Sequence, residues 1–213
     1  MGRGTSKAGG GGGGGPFGEG MEGKESTTSV KSSHPLTDVI GKKGGGEYAN
    51  EIMNTRDALE REFGDPVKGM SLHVATFSDN TTLGAYGGNT LFMNEKYVKN
   101  PNLTRAMQKA SESGFHPSLG NKTGAEAVSA HEIGHRLGEV AAQKAGISEK
   151  QIVARAATRA KIKTENMAGH ISGYARTNYG ETIAEAMCDV YCNGKSASKA
   201  SQAIVKELKT ILK

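Results

Sequence analysis

The uneven distribution of glycine most constrains how this chain can fold. Sixteen of its 31 glycines lie in residues 1–46, among them an unbroken run from Gly9 to Gly15. Such a segment has too few apolar side chains to offset the entropy lost on ordering. We therefore predict a disordered Gly/Ser-rich tail over residues 1–46. The remaining residues, 47–213, are enough for one domain with a single hydrophobic core.

Composition narrows the class of protein further. No run of about 18 apolar residues occurs, and the glycine-rich start lacks the apolar stretch of a standard Sec signal peptide. We therefore expect no membrane segment. The net charge of +5 is spread along the chain without interleaved aromatic residues, so nucleic acid is not an expected partner. Cys188 and Cys192 lie four residues apart in a predicted helix, which suits a disulfide poorly and favours a reducing compartment.

Periodicity and capping signals predict an α+β fold. Short extended segments at 71–77, 81–86 and 89–94 indicate a small mixed sheet. Thr123 and Glu126 form a capping box, which predicts a helix running to about Ala145. Further helices are predicted over 47–63, 103–112, 148–163, 181–192 and 196–212.

The predicted helix after Thr123 carries the motif His131-Glu132-Ile133-Gly134-His135. Positions i and i+4 share one face of a helix, so both imidazoles can bind one cation. Glu132 lies beside that face, where a carboxylate can act as general base without binding the metal. The alternative interpretation is a pair of ordinary helix histidines beside a surface glutamate. Gly134 is unfavourable inside a helix by about 1 kcal/mol relative to alanine, and we expect the close approach of another backbone to compensate.

A zinc hydrolase needs a third protein ligand, and candidates lie downstream. Glu181, Glu185 and Asp189 are spaced by four residues, so three carboxylates share one helical face. Like charges at this spacing repel one another unless a cation or histidines are nearby. The intervening residues are largely apolar, which predicts that this helix is buried. An exposed acidic stripe is the alternative.

The segments 131–135 and 172–186 together resemble the zincin metallopeptidases of the anthrax lethal factor type. They are also similar to the zincin-like domains of bacteriophage head and minor capsid proteins. The resemblance rests on the motif above and on a tyrosine, a short turn and a Glu-x-x-Ala-Glu-Ala helix after it. It covers about residues 70–194. Gly173, Gly180 and Thr182 depart from the usual pattern at positions that affect local packing more than ligation.

This resemblance implies specific roles for residues. Glu181 would be the third zinc ligand, Glu185 would accept a hydrogen bond from a ligand histidine, and Tyr174 would support the oxyanion. In zincins an edge strand before the active helix binds the substrate as an added strand. Thr90-Leu91-Phe92-Met93-Asn94 is the best candidate for that strand.

We therefore expect a zincin-like domain of the gluzincin type, with Zn²⁺ as cofactor and a polypeptide as substrate. The expected activity is that of a zinc metalloendopeptidase with Glu132 as base. An alternative is a virion-associated structural protein that keeps a non-catalytic zinc site. A third is a binding module driven by the tail, for nucleic acid or a capsid surface. The resemblance also implies phage head or capsid proteins as possible partners, and the host cytoplasm or the phage virion as location.

The remaining histidines are not expected to act in the site. His170 lies just before the Tyr174 turn, within possible reach of the site, but is interpreted as a loop residue. His116 precedes Pro117 in the loop that enters the motif helix and is interpreted as structural. His73, on a predicted strand, is interpreted as incidental.

Overall fold

The computed structural model describes residues 30–39, 46–79, 81–97 and 100–213. Its fold is α+β, as predicted, with a four-stranded mixed sheet and six α-helices in the described ranges. In chain order the elements are β1 (Val30–Pro35), α1 (Gly46–Phe63), β2 (Ser71–Phe77), β3 (Gly84–Gly87), β4 (Thr90–Asn94), α2 (Asn100–Glu112), α3 (Gly124–Ala145), α4 (Glu149–Ala160), α5 (Tyr179–Asn193) and α6 (Lys199–Leu212).

The sheet has the strand order β1-β2-β4-β3. β1 pairs antiparallel with β2, β2 pairs parallel with β4, and β3 pairs antiparallel with β4. The parallel pair is possible because the chain leaves β2, forms β3 at the edge, and returns through the turn at Gly88, where φ is +60°. β3 is therefore the edge strand that lies against α3.

The predicted disordered tail is wrong for the part of it that the structure describes. Val30–Pro35 forms β1, in register with His73–Phe77 of β2. Leu36, directly after this strand, is 1% exposed and belongs to the main core. The strand is polar apart from its ends, so backbone pairing, together with the packing of Val30 against Ala75 and Phe77, accounts for its place in the sheet. The other residues of that prediction, 1–29 and 40–45, lie outside the described residues.

The prediction that Thr90–Asn94 lies at the edge of the sheet is also wrong. This segment is a strand, but it is paired with β2 on one side and with β3 on the other. Its backbone groups are used within the sheet, so a substrate cannot add to it as a further strand. The edge beside the motif helix belongs to β3.

α3 runs through the centre of the fold and contacts α1, α2, α5 and α6 as well as β3 and β4. Its apolar residues Val128, Ile133 and Leu137 are fully buried. Burying each of these side chains stabilises the fold by about 1.5–3 kcal/mol. α3 is thus packed between helices and the sheet, so its polar residues are held in fixed positions.

Candidate metal centre

The start of α3 is fixed by the predicted capping box. The hydroxyl of Thr123 accepts from the backbone N–H of Glu126, and the Glu126 carboxylate accepts from the backbone N–H of Thr123. The helix ends at Gly146, whose φ of 62° is the left-handed conformation that glycine favours. These caps fix where α3 begins and ends, and His131 and His135 lie on the face that α3 turns towards α5.

Gly134 lets α5 approach α3 at the level of the motif. A Cβ atom at this position would lie 2.8 Å from the Cα of Ala184 and 2.9 Å from the Cβ of Met187. The predicted reason for a glycine inside the motif, close approach by another backbone, is therefore confirmed. The approach brings the carboxylates of α5 within reach of the histidines of α3.

The start of α5 is likewise fixed by a cap. The side chain of Asn178 accepts a hydrogen bond of 2.8 Å from the backbone N–H of Glu181. Thr182 Oγ1 donates to the carbonyl of Ala175 at 2.8 Å, which ties the preceding turn to the helix. Glu181 therefore lies on the first turn of α5, on a backbone that is held from both directions.

Three side-chain atoms converge between α3 and α5. Nε2 of His131 lies 3.2 Å from Nε2 of His135 and 3.1 Å from Oε2 of Glu181. Nε2 of His135 lies 3.4 Å from the same Glu181 oxygen. All three residues are buried, and they form a group that can hold a metal ion.

The size of this triangle fits a tetrahedral ion. Bonds of about 2.0–2.1 Å in a tetrahedral zinc site place neighbouring ligand atoms about 3.3 Å apart. The three measured separations, 3.2, 3.1 and 3.4 Å, lie close to that value. Two imidazoles and one carboxylate are also a donor set that zinc accepts, with a fourth position left for another ligand.

Glu185 lies one helical turn after Glu181 and contacts the His131 ring at the nitrogen that does not face Glu181. Nδ1 of His131 donates to its Oε1 at 2.9 Å, so Nε2 is the nitrogen aimed at the triangle. Nδ1 of His116 donates to both carboxylate oxygens, at 3.1 and 3.0 Å, and Ser172 Oγ donates to Oε2 at 2.7 Å. Each carboxylate oxygen of Glu185 is therefore bonded, although the residue is fully buried.

Glu132 is buried to the same extent but is not bonded. Neither of its carboxylate oxygens has a hydrogen-bond partner within the described ranges. The β3 backbone lies directly against it, because a Cβ at Gly84 would come within 3.3 Å of Glu132 Cγ and 2.8 Å of Val128 Cγ1. A buried carboxylate without partners destabilises a fold, and such groups concentrate at functional sites.

Burial and neighbouring charges shift the ionisation of these groups in the metal-free protein. Burial raises the pKa of Glu132 to about 7, against a lowering effect of His131 and His135. Burial lowers the pKa of His131, but hydrogen bonds to Glu181 and Glu185 outweigh it and raise that pKa to about 10. Glu181 shows the reverse: burial raises its pKa, and the two histidines bring it well below its usual range.

Tyr174 lies over the histidines. Its hydroxyl donates to Glu181 Oε1 at 3.3 Å, and its ring stacks on the His131 ring with the centroids 6.0 Å apart. The His116 ring packs edge-on against Tyr174 at 5.2 Å. Burial, then the charges of Glu181 and Glu132, raise the pKa of the phenol far above its usual range. The hydroxyl is therefore a hydrogen-bond donor at neutral pH.

The structure brings together all the site residues predicted on the two helices and the turn before α5. They are His131, Glu132, His135, Tyr174, Glu181 and Glu185. Asp189 belongs elsewhere, since it accepts from the backbone N–H of Ser198 at 2.9 Å and from the hydroxyl of Ser201 at 2.7 Å, at the start of α6. His170 is exposed, in agreement with its interpretation as a loop residue.

Two residues of the centre were missed as functional candidates. His116, interpreted as a structural loop residue, is 2% exposed and bonds to Glu185, and Ser172 bonds to the same carboxylate. Neither belongs to a spaced motif with its partner, since His116 is 69 residues from Glu185. The one available signal was a histidine immediately before Pro117, in a loop leading into the motif helix.

Within the described ranges, none of the helices combines the length and the apolar character that a membrane crossing requires. Comparison with known proteins gives no further assignment. No family model, no curated protein and no solved structure matches the chain. Any assignment of function therefore rests on the geometry of the centre.

Proposed function

We propose that this chain is a zinc-dependent metallopeptidase with a zincin-like domain. His131, His135 and Glu181 would hold the zinc, and Glu132 would be the general base. The observation that carries the proposal is a fully buried carboxylate, without hydrogen-bond partners in the described part of the chain, beside a three-donor group of zinc dimensions. A purely structural metal site has no use for such a carboxylate.

Bound zinc supplies Lewis acidity, which makes water a nucleophile at neutral pH and polarises a peptide carbonyl. The chain's own groups supply the proton transfers. The Glu132 carboxylate, buried and without hydrogen-bond partners among the described residues, would accept a proton from the attacking water and return it to the departing amine. Tyr174 keeps its proton and can donate a hydrogen bond to the developing oxyanion.

The groups behind the site hold it in a fixed geometry. Glu185 accepts from Nδ1 of His131 and so fixes its tautomer and ring orientation. The substrate peptide would pair with β3 rather than with β4, since β3 is the edge strand and its Gly84 lies against Glu132. Tyr86 of β3 holds this edge to α3 by donating to Glu139 and accepting from Arg136.

The test compares the cleavage of a broad peptide library by the zinc-loaded wild type and by Glu132→Gln. The variant should keep the zinc and lose about 10²–10⁴-fold in rate, the usual contribution of a positioned base. Glu112→Gln is the matched control, since it makes the same change at an exposed residue at the end of α2. Equal rates for wild type and Glu132→Gln contradict the mechanism. Zinc binding without any cleavage by the wild type supports the structural alternative.

A further inference from the structure

A cavity of about 660 Å³ borders the segment that carries two of the proposed site residues. One wall is formed by residues 175–179 and Thr182, directly between and beside Tyr174 and Glu181. The rest of the lining comes from Val153 and from residues 164–166 and 168–170. The volume lies in the range of about 300–1,000 Å³ that is typical of ligand sites.

The lining of this cavity is rich in hydrogen-bond donors. Arg176 contributes a guanidinium, His170 an imidazole, Asn166 an amide and Thr177 a hydroxyl, whereas Glu165 is the only acidic residue in the lining. The side chain of Arg176 makes no hydrogen bond or ion pair with another described residue, so the described part of the chain leaves its donors available. A guanidinium without a protein carboxylate partner is suited to bind the carboxylate of a ligand with two parallel bonds.

A glycine of the lining lies against the guanidinium. A Cβ atom at Gly169 would lie 3.1 Å from Nη2 of Arg176 and 3.6 Å from its Cζ. The guanidinium therefore packs on the backbone of Gly169, which limits the positions of a long side chain. Such positioning lowers the entropy lost when a ligand binds.

We propose that this cavity binds an acidic side chain of the peptide ligand, with Arg176 as the residue that recognises its carboxylate. The proposal rests on the proposed function, which makes a peptide the ligand. Residues 175–178 of the lining lie between Tyr174 and the start of α5, so the cavity borders the segment that leads from Tyr174 to Glu181.

The experiment measures peptide binding to the full-length, zinc-loaded Glu132→Gln protein, which should hold a peptide without cleaving it. The probes are fluorescein-labelled alanine-based peptides that carry one Glu, or one Gln at the same place, moved through every position. At one position the Glu peptide should bind about 10–100-fold more tightly, the factor expected for a hydrogen-bonded charge pair. Arg176→Gln in this protein should remove the preference, and Arg176→Lys should keep only part of it.

Lys163→Gln is the matched control, because this exposed cation lies next to Thr164 but does not line the cavity. The preference should persist in that variant. Equal binding of the Glu and Gln peptides, a preference that survives Arg176→Gln, or an equal loss in Lys163→Gln overturns the proposal. Cleavage by the wild type of both peptides at the same rate also overturns it, whereas a preference in binding without any cleavage overturns the peptidase function and supports the cavity.

Discussion

The candidate metal centre contains two buried glutamates, one on each side, that differ in their hydrogen bonding. On the α5 side, Glu185 accepts hydrogen bonds from His131, His116 and Ser172. On the β3 side, Glu132 is equally buried, and neither of its oxygens is bonded within the described ranges. The pKa of Glu185 lies below its usual range because His116 and His131 outweigh the effect of burial. The pKa of Glu132 rises to about 7 because burial dominates.

This difference indicates separate roles for Glu185 and Glu132. A carboxylate with all its bonds made is fixed in position and charge, which suits a group that orients a ligand histidine. A carboxylate that exchanges its proton near pH 7 suits a base, at the expense of stability. The fold thus holds Glu185 with buried hydrogen bonds and leaves Glu132 without a partner among the described residues, as the proposed role of Glu132 as a base requires.

The largest expected effect is on zinc affinity, and it distinguishes the proposed ligand Glu181 from Glu185, which supports a ligand histidine. Glu181→Ala removes one of three donor atoms and should weaken zinc affinity far more than Glu185→Ala. The latter should weaken it by about 10–100-fold, as changes behind a ligand histidine do. Competition with a chromophoric chelator measures both affinities on the full chain. A larger loss in Glu185→Ala than in Glu181→Ala would show that the two roles are exchanged.

A smaller effect concerns the unbonded carboxylate and appears in the pH dependence of stability. In the metal-free wild type the pKa of Glu132 is about 7, against 4.5 for an unperturbed group. Between these values the unfolded chain releases a proton that the folded chain retains, so wild-type stability falls as the pH rises. Glu132→Gln lacks this titration. The difference in free energy of unfolding between Glu132→Gln and wild type should therefore shift in favour of the variant by up to about 3 kcal/mol between pH 4 and pH 8.

Urea unfolding of the metal-free proteins at both pH values measures that shift. Glu112→Gln, at an exposed position, should show no such shift. A constant difference between Glu132→Gln and wild type would mean that Glu132 titrates normally and is not held in a desolvated site.

The smallest effect is on the free energy of unfolding and concerns the hydrogen bond that Ser172 donates to Glu185. Ser172→Ala removes a 2.7 Å bond to Glu185 and an acceptor for the backbone N–H of Ala175, so the free energy of unfolding should fall by about 1–2 kcal/mol. Ser129→Ala is the matched control, because its buried hydroxyl bonds only to Ala125 of its own helix and its loss should change stability by less than about 0.5 kcal/mol. Equal effects of the two substitutions on stability and zinc affinity would argue against a supporting role for Ser172.

Local signals in the sequence predicted the parts of the centre that lie on helices. Thr123 and Glu126 determine where α3 begins, and the i, i+4 spacing of His131 and His135 predicted that they share a face. Gly134 indicated close packing by another backbone. The cap and the histidine spacing act within a few residues of the chain, which is why the sequence alone was sufficient for them, whereas the glycine indicated close packing without identifying α5 as the neighbour.

The errors concern contacts between distant residues. The order of strands places β4 inside the sheet, and no local pattern in Thr90–Asn94 distinguishes an inner strand from an edge strand. β1 is joined by backbone bonds to β2, about 40 residues away, and its polar sequence hid it within a glycine-rich region. His116 was missed for the same reason, since only the fold brings it to Glu185.

The most direct test of the central claim is the metal content of the full-length protein, measured by native mass spectrometry. The account predicts about one zinc per chain in the wild type and in His170→Ala, which replaces an exposed histidine outside the triangle. It predicts loss of that zinc in both His131→Ala and His135→Ala. Full retention of zinc in these two variants would contradict the account.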